Sequence, residues 1–202
     1  MKLREYEAKT KEEALAKAEK DYGLTEKDLF LIEREEEGGL FKTKKIKLEV
    51  ISKEEVIEYC KSLLKNITEK MGIETKCEVK NNEDYLKFSL YSDNNSVLIG
   101  KGGRTIESLQ VILRSSLSNQ LGFRVNVSID VEDYKEKQLQ RIEYLARKIA
   151  NEVKATGNET KLDAMNSYER RIVHEEVSKV EGITTVSEGE EPNRYIIIKC
   201  EK

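Results

Sequence analysis

The fold of this chain is decided by a glycine-rich stretch near its middle, Ser96 to Gln110, with the sequence SVLIGKGGRTIESLQ. Its apolar residues recur at helical spacing, yet Gly100, Gly102 and Gly103 fall within four positions. Glycine in a helix interior costs about 1 kcal/mol relative to alanine. The stretch therefore predicts a break between two helices where the backbone stays bare, as a phosphate cradle, a tight turn or a flexible loop.

Two common phosphate-binding motifs do not fit this stretch. A P-loop needs G-x-x-x-x-G-K-[ST] after a strand, and a dinucleotide fingerprint needs G-x-G-x-x-G inside a βαβ unit; neither is present. What remains is a G-x-x-G loop, Gly100 to Gly103, in front of a helix. Such a loop lets a sugar-phosphate backbone approach the main chain, and the positive end of the following helix faces it. Lys101 and Arg104 would add positive charge.

The sequence around the loop predicts the order α-β-β-α-loop-α-β. A helix capped by Ser52 and Glu55 comes first, followed by two alternating segments, ETKCEVK and DYLKFSLYS, around the turn NNED. After the loop, a helix ends at Gly122, and a last strand places five apolar residues on one face: Phe123, Val125, Val127, Ile129 and Val131.

In this order the segment resembles a type II KH domain, whose G-x-x-G loop clamps about four nucleotides of a single strand. The resemblance implies an RNA-binding loop of five residues: Gly100, Lys101, Gly102, Gly103 and Arg104. KH loops often carry a second basic residue at the position of Gly102, so the clamp is electrostatically weaker here. The apolar residues predicted to line the groove or its supporting core are Val97, Leu98, Ile99, Ile106 and Leu109.

The last part of the chain predicts a long helix over about 132–154, a loop ATGNETKLDA, a second helix and a hairpin across the acidic turn EGEEPN. The long helix should place six apolar residues on one face: Leu139, Ile142, Leu145, Ala146, Ile149 and Val153. In the second helix, capped by Asn166 and Glu169, Arg170 and His174 are four residues apart and share a face. We expect this pair at the rim of the apolar stripe, suited to stacking on bases and bonding phosphate. The alternative is a half-buried histidine packed under the arginine.

The segments MNSYERRIVHEEV and TTVSEGEEPNRYIII resemble the single-strand nucleic-acid-binding domain named for its Arg-x-x-x-His motif. The resemblance implies that Arg170 and His174 bind nucleic acid, with Arg171 as a further phosphate contact.

The first 51 residues predict a β-α-β-β module. Its helix, TKEEALAKAEKDYG, has a capping box of Thr10 and Glu13 and ends at Gly23. The segments KEEALAKAEKDYGL and GGLFKTKKIKLEV resemble the N-terminal domain of the Jag family. Family members usually carry a Gly-Leu-Phe-Gly type knuckle, whereas Lys42 follows Phe41 here.

The predicted fold is thus α+β in three small modules: residues 1–51, the Jag N-terminal domain; 52–131, the type II KH domain; and 132–202, the Arg-x-x-x-His domain. The family resemblance implies a cytoplasmic, bacterial RNA-binding protein that controls cell elongation and division post-transcriptionally. It also implies a small KH-domain protein as partner.

Composition constrains the function further. The net charge of −3 and pI of about 5.6 count against a protein that coats nucleic acid through bulk positive charge, so any binding would have to be local. His174 is the sole histidine, and Cys60, Cys77 and Cys200 form no C-x-x-C pair. We therefore predict no catalytic residues, no metal or other cofactor, and three buried, inert thiols. No apolar run approaches the roughly 20 residues of a membrane span, so membrane insertion is not expected.

The sequence leaves three binding functions open. The leading hypothesis is a non-enzymatic protein that binds single-stranded RNA at two sites. Single-stranded DNA is an alternative, since only contacts to the 2′-OH would separate the two. The third hypothesis is an adaptor whose acidic surface recruits protein partners. A homodimer through a KH face is also an open prediction.

Overall fold

The computed structural model describes residues 1–36, 45–82 and 85–201. These residues form six α-helices and nine β-strands, with two short 3-10 turns. They divide into two compact units, Met1–Glu132 and Asp133–Lys202, and each unit mixes helices with small sheets. The α+β class is therefore confirmed. None of the helices in the described ranges is long and apolar enough to cross a bilayer.

The first unit begins with the predicted β-α-β-β arrangement. Its elements are β1 (Arg4–Ala8), α1 (Lys11–Tyr22), β2 (Leu29–Glu36) and β3 (Lys45–Ser52). The three strands form an antiparallel sheet in the order β1-β3-β2. The expected knuckle with Phe41 and Lys42 lies outside the described residues.

Helix α1 covers one face of this sheet because its small residues allow close approach. Ala14 and Ala18 are fully buried against a cluster that includes Leu48 and Val50. Thr10 caps the helix, accepting a hydrogen bond from the N–H of Glu13 at 3.3 Å. The Glu13 carboxylate, however, accepts from the N–H of Lys9 and not from that of Thr10. Only half of the predicted capping box is therefore present.

The first sheet runs without a linker into the KH segment. Ser52 is both the last residue of β3 and the N-cap of the next helix, accepting from the N–H of Glu55 at 3.1 Å. On the sheet face away from α1, Phe30 meets Phe123 with ring centroids 6.3 Å apart. A boundary between residues 51 and 52 remains a prediction.

The KH segment has the predicted element order. Its elements are α2 (Lys53–Lys70), β4 (Lys76–Asn81), β5 (Leu86–Tyr91), α3 (Asn95–Ile99), α4 (Arg104–Leu121) and β6 (Val127–Val131). Strand β5 is central, antiparallel to β4 and parallel to β6. Residues 83 and 84 of the predicted NNED turn lie outside the described residues.

The core of this segment follows the sequence pattern closely. Leu109, Leu113 and Leu117 of α4 are buried, as are Phe88 and Ile129 on the sheet. The last strand starts at Val127, later than the alternation from Phe123 suggested. Alternation predicts which side chains are buried, but strand pairing begins only where β5 runs alongside.

The second unit packs two helices on a three-stranded sheet. Its elements are α5 (Tyr134–Thr156), β7 (Thr160–Lys161), α6 (Ser167–Val177), β8 (Ile183–Glu188) and β9 (Tyr195–Cys200). The sheet order is β7-β9-β8, all antiparallel, and β8 and β9 form the predicted hairpin. Strand β7 was not predicted and lies in the expected loop.

One residue of the predicted buried face of α5 is misplaced. Ile142, Ala146 and Val153 are buried, but Leu145 is exposed. The buried stripe passes through Ala146 and Ala150, and this leaves Leu145 beside it. The prediction that Leu145 belongs to this face is wrong: the residue is apolar, but it lies next to the buried stripe and not in it.

The three cysteines are free thiols, but only Cys60 is fully buried. Cys77 and Cys200 are half-buried, so the expectation of three buried thiols was wrong for these two. Loss of hydration raises the pKa of Cys60 to about 12 and that of Cys77 to about 11. Both thiols are therefore protonated and weakly nucleophilic near neutral pH.

Candidate nucleic-acid interface

The glycine loop joins α3 to α4 through a single 3-10 turn, Lys101–Gly103. Gly100 ends α3 with φ 72° and ψ 178°, a conformation open essentially only to glycine. A Cβ built on Gly100 would lie 2.1 Å from Oγ1 of Thr105 and 2.9 Å from its backbone nitrogen. Gly100 is thus required by the path of the backbone and by close packing on the first turn of α4.

Gly102, unlike Gly100, has open space where a side chain would lie. It has φ 61° and ψ 27°, and a Cβ there would meet no atom within 4 Å. Together with the exposed Lys101 and Arg104 it forms the outer surface of the loop. A glycine here keeps the surface low between two cations, so that a ligand can approach the backbone.

The loop leads into the N-terminus of an 18-residue helix that no side chain caps. Gly103, the N-cap of α4, is buried with φ 80° and offers no side-chain acceptor. Within the loop, the N–H of Gly103 donates to the carbonyl of Gly100, and that of Arg104 donates to the carbonyl of Lys101. The positive end of the α4 dipole therefore lies under the loop, where it favours a negatively charged ligand.

The five apolar residues predicted near the loop divide into two groups. Leu98, Ile106 and Leu109 are buried and belong to the core. Val97 is exposed and Ile99 half-buried, so these two are available as an apolar surface beside the loop. Sequence spacing could not separate the groups because α3 is barely longer than one turn.

In the second unit, Asn166 fixes the start of α6. Its side chain accepts hydrogen bonds from the N–H groups of Tyr168 and Glu169, both at 3.0 Å, while the Glu169 carboxylate accepts from the N–H of Asn166. This is the predicted capping box in full. The capping box fixes the first turn of α6 and thereby the direction in which Arg170 and His174 point from the helix.

Arg170 lies deeper than predicted. It is buried, whereas the helical pattern placed it at the rim of the apolar stripe. Its Nη1 donates to the carbonyl of Met165 at 2.8 Å and pairs with Oε1 of Glu191, also at 2.8 Å. The rim prediction is wrong for Arg170 because the segment before α6 and the acidic turn both pack over its guanidinium. Arg171, next along the helix, is exposed.

His174 is half-buried and hydrogen-bonded through Nδ1 to Oγ1 of Thr185 on β8. Loss of hydration, and secondarily the positive charge of Arg170, lower the pKa of His174 below its ordinary value of 6.5. The imidazole is thus neutral at pH 7. It lines a shallow groove of about 300 Å³ between the C-terminal half of α6 and the start of β8.

The hairpin contributes polar residues that the sequence analysis missed. Thr185 and Ser187 alternate with Val186 on β8 and share the face of the buried Ile183. Ser187 accepts a hydrogen bond from Nε of Arg194 at 3.1 Å. The period-2 pattern of TTVSE, once aligned on Ile183, was the signal that could have found Thr185 and Ser187.

Two domain families match this chain. Residues 53–129 match the KH domain of KhpA/KhpB, and residues 140–199 match the domain family named for the Arg-x-x-x-His motif. The two matches together cover about two thirds of the chain and contain the loop and Arg/His residues described above.

Three curated relatives are each named RNA-binding protein KhpB. The protein of Clostridium symbiosum is 34% identical over 65% of this chain and 60% of its own length. That of Lactiplantibacillus plantarum is 34% identical over 67% of this chain and 42% of its own length. That of Bacillus subtilis is 28% identical over 93% of both chains. The chain thus spans about half the length of the first two relatives and nearly all of the third. By its two domain matches and these relatives, it belongs to the KhpB (Jag) family.

Proposed function

We propose that the protein binds single-stranded RNA without catalysing a reaction, through the G-x-x-G loop and through the Arg-x-x-x-His domain. The observation that supports this most directly is the loop itself. An exposed Lys101, an open Gly102 and an exposed Arg104 stand over the uncapped N-terminus of α4. The names of the curated relatives support RNA as the polymer.

At the loop, the phosphates of two neighbouring nucleotides would lie on the bare backbone between Lys101 and Arg104. Val97 and Ile99 would then contact the bases or sugars beside the loop. Apolar and backbone contacts of this kind tolerate many sequences, so we expect modest sequence preference.

In the second unit, Arg171 and the partly exposed His174 supply the accessible part of the predicted site. A neutral imidazole can stack on a base and accept or donate one hydrogen bond, but contributes no charge at pH 7. Two weak sites on one chain reinforce each other through effective concentration. This compensates for the negative net charge of the protein.

Binding of oligonucleotides followed by fluorescence anisotropy tests this proposal. We would compare uridine- and adenosine-rich 12-mers of RNA and DNA across a salt series, using the full chain. Each phosphate contact adds about −0.7 to the slope of log affinity against log salt, so the three exposed cations Lys101, Arg104 and Arg171 set a limit of about −2. We expect RNA binding that weakens in a Lys101→Asp/Gly102→Asp variant and, independently, in Arg171→Ala. No binding of RNA at physiological salt would refute the proposal, and equal binding of DNA would broaden it.

A second, additional function is contact with another protein through α4. Val111 is 63% exposed and Ile112 45% exposed, and both lie on α4. We propose that this apolar pair meets a second KH-domain protein or another copy of this chain. Light scattering on a size-exclusion column would show a dimer, or a complex with an added KH-domain protein, that Val111→Asp abolishes. If the protein is a monomer and binds none of the added KH-domain proteins, the proposed contact through α4 is refuted.

The resemblance stated above supports a cellular role for the RNA site, in post-transcriptional control of elongation and division in the cytoplasm. We propose this role on the family alone. RNA crosslinked to the protein in its host, together with cell length in a strain carrying the loop variant, tests it. Normal cell length with RNA crosslinking abolished would argue against the link.

A further inference from the structure

The guanidinium of Arg170 forms an ion pair with a carboxylate from the acidic turn of its own domain. Nη1 of Arg170 is 2.8 Å from Oε1 of Glu191. The Arg170 side chain is 10% exposed, whereas that of Glu191 is 58% exposed. One partner is therefore fixed in the fold, and the other lies on the surface with solvent around it.

The remaining contact of Nη1 explains why Arg170 stays in place. Nη1 also donates to the carbonyl of Met165, just before the N-cap of α6. Met165 in turn donates its N–H to the carbonyl of Arg194, the residue just before β9. The arginine is thus anchored by backbone contacts that do not depend on Glu191.

The chemistry of the Glu191 contact resembles that of a phosphate contact. Guanidinium groups bind carboxylate and phosphate oxygens with the same donors and similar geometry. The Glu191 carboxylate is 58% exposed, so water competes for it, and exchanging one anionic oxygen for another leaves the buried guanidinium paired. A phosphate oxygen arriving from solvent can therefore replace the carboxylate at small cost.

Other polar groups in this part of the domain give an incoming strand further contacts. Arg194 donates to Ser187 on the helix-covered face of the sheet, the face that also carries Thr185 and its bond to His174. Arg171 is exposed on α6. Hydroxyls, a neutral imidazole and cations are typical contacts for a sugar-phosphate backbone.

We propose that Glu191 occupies the place on Arg170 that a phosphate of single-stranded RNA takes, and that it thereby limits the affinity of this domain. The inference rests on the proposed function, since it presumes RNA at the Arg/His helix. RNA must displace Glu191 before Arg170 can contribute, so this domain binds weakly on its own. Removing the charge of Glu191 makes Arg170 available to a phosphate before RNA binds.

The test compares Glu191→Gln with Glu190→Gln in the full chain, using a fluorescent uridine 12-mer. Glu190 precedes Glu191 in the same turn and carries the same charge, but its carboxylate makes no ion pair with any described residue. The carbonyl of Glu190 accepts from the N–H of Asn193, a backbone contact that the substitution does not remove. Both variants therefore change the net charge equally, and only one frees Arg170.

We expect Glu191→Gln to bind RNA about two- to five-fold more tightly than wild type, the range that a weak ion pair allows. Its salt slope should steepen by up to about 0.7, since one more phosphate is bound without an internal competitor. Glu190→Gln should change affinity less and leave the slope unchanged. Thermal melting of both variants checks that the turn has not loosened.

Several outcomes would overturn the inference. Equal gains in both variants would show an effect of net charge, and weaker binding by Glu191→Gln would show that Glu191 supports the site. A gain in Glu191→Gln that persists with an unchanged slope in Glu191→Gln/Arg170→Gln, which lacks the cation, would show that Arg170 is not involved. If RNA binding survives in wild type but is insensitive to every change at 170 and 191, only this inference fails. If no variant binds RNA, the proposed function fails with it.

Discussion

Gly100 and Thr105 pack so closely that a Cβ on Gly100 would lie 2.1 Å from Oγ1 of Thr105. The contact joins the end of α3 to the first turn of α4 and so fixes the shape of the loop between them. The contact distinguishes the structural roles of two glycines, which the sequence alone did not distinguish. Gly100 is needed for the fold of the loop, and Gly102 for the surface that the loop presents.

We therefore predict that Gly100→Ala destabilises the protein by about 1–3 kcal/mol, the usual cost of holding a residue in a forbidden backbone region. Gly102→Ala should cost less, about 1–2 kcal/mol, because its Cβ meets open space and only the left-handed backbone resists it. Urea denaturation of both variants checks the difference. Equal losses would mean that the contact with Thr105 relaxes freely.

Arg170 and Arg171 carry the same charge on the same helix but differ in burial. Arg170→Ala should lower the free energy of unfolding by about 1–3 kcal/mol, because the part-buried carbonyl of Met165 loses its donor. Arg171→Ala, on the surface, should stay within about 0.5 kcal/mol of wild type. Chemical denaturation measures both. A destabilised Arg171→Ala, or a fully stable Arg170→Ala, contradicts the anchoring role given to Arg170.

His174 should titrate below pH 6.5, since burial and Arg170 both disfavour its protonated form. Because it is the sole histidine, its ring resonances in an NMR titration can be assigned without ambiguity. The unfolded chain binds this proton more readily than the folded one. The stabilisation due to neutral His174 is therefore complete above about pH 6.5 and is lost as the pH falls through the lowered pKa. A measured pKa at or above 6.5 would contradict the burial of the ring.

Burial also distinguishes two ion pairs of the first unit. Asp130, on β6, is buried and lies 2.9 Å from Nζ of Lys87, and its other oxygen accepts from the N–H of Val131. Asp130→Ala should cost about 1–3 kcal/mol, because the N–H of the buried Val131 loses its acceptor. Glu58 pairs with Lys61 at the same distance on the surface of α2, and Glu58→Ala should cost about 0.5 kcal/mol or less. Thermal or urea unfolding compares them, and equal costs would show that burial is not what matters.

Local signals in the sequence were sufficient for the elements and most of the core. The caps at Ser52 and Asn166 and the alternation ending in β6 each depend on neighbours within a few residues, and the structure contains them. The order of these elements around the G-x-x-G loop was enough to indicate a KH domain, and the family resemblance also needed the Arg-x-x-x-His and N-terminal segments.

Contacts distant in sequence were not predictable in the same way. Arg170 is buried by Glu191, 21 residues further on, and helical periodicity carries no information about the turn that covers it. The alternation of β8 indicates the face of Thr185 and Ser187, but not their partners His174 and Arg194, which come from other elements. The exposure of Leu145 likewise depends on how α5 meets its sheet.

The central claim is that the G-x-x-G loop binds the phosphates of RNA, and Gly102 offers the most direct test of it. Asparagine and aspartate are nearly identical in shape, both tolerate the left-handed backbone found there, and a Cβ at this position meets no neighbour within 4 Å. Gly102→Asn and Gly102→Asp therefore differ only in a negative charge between Lys101 and Arg104. We predict that both fold like wild type and that the aspartate variant binds single-stranded RNA at least several-fold more weakly than the asparagine variant at low salt. Equal affinities of the two variants would contradict the claim that this loop holds the RNA backbone.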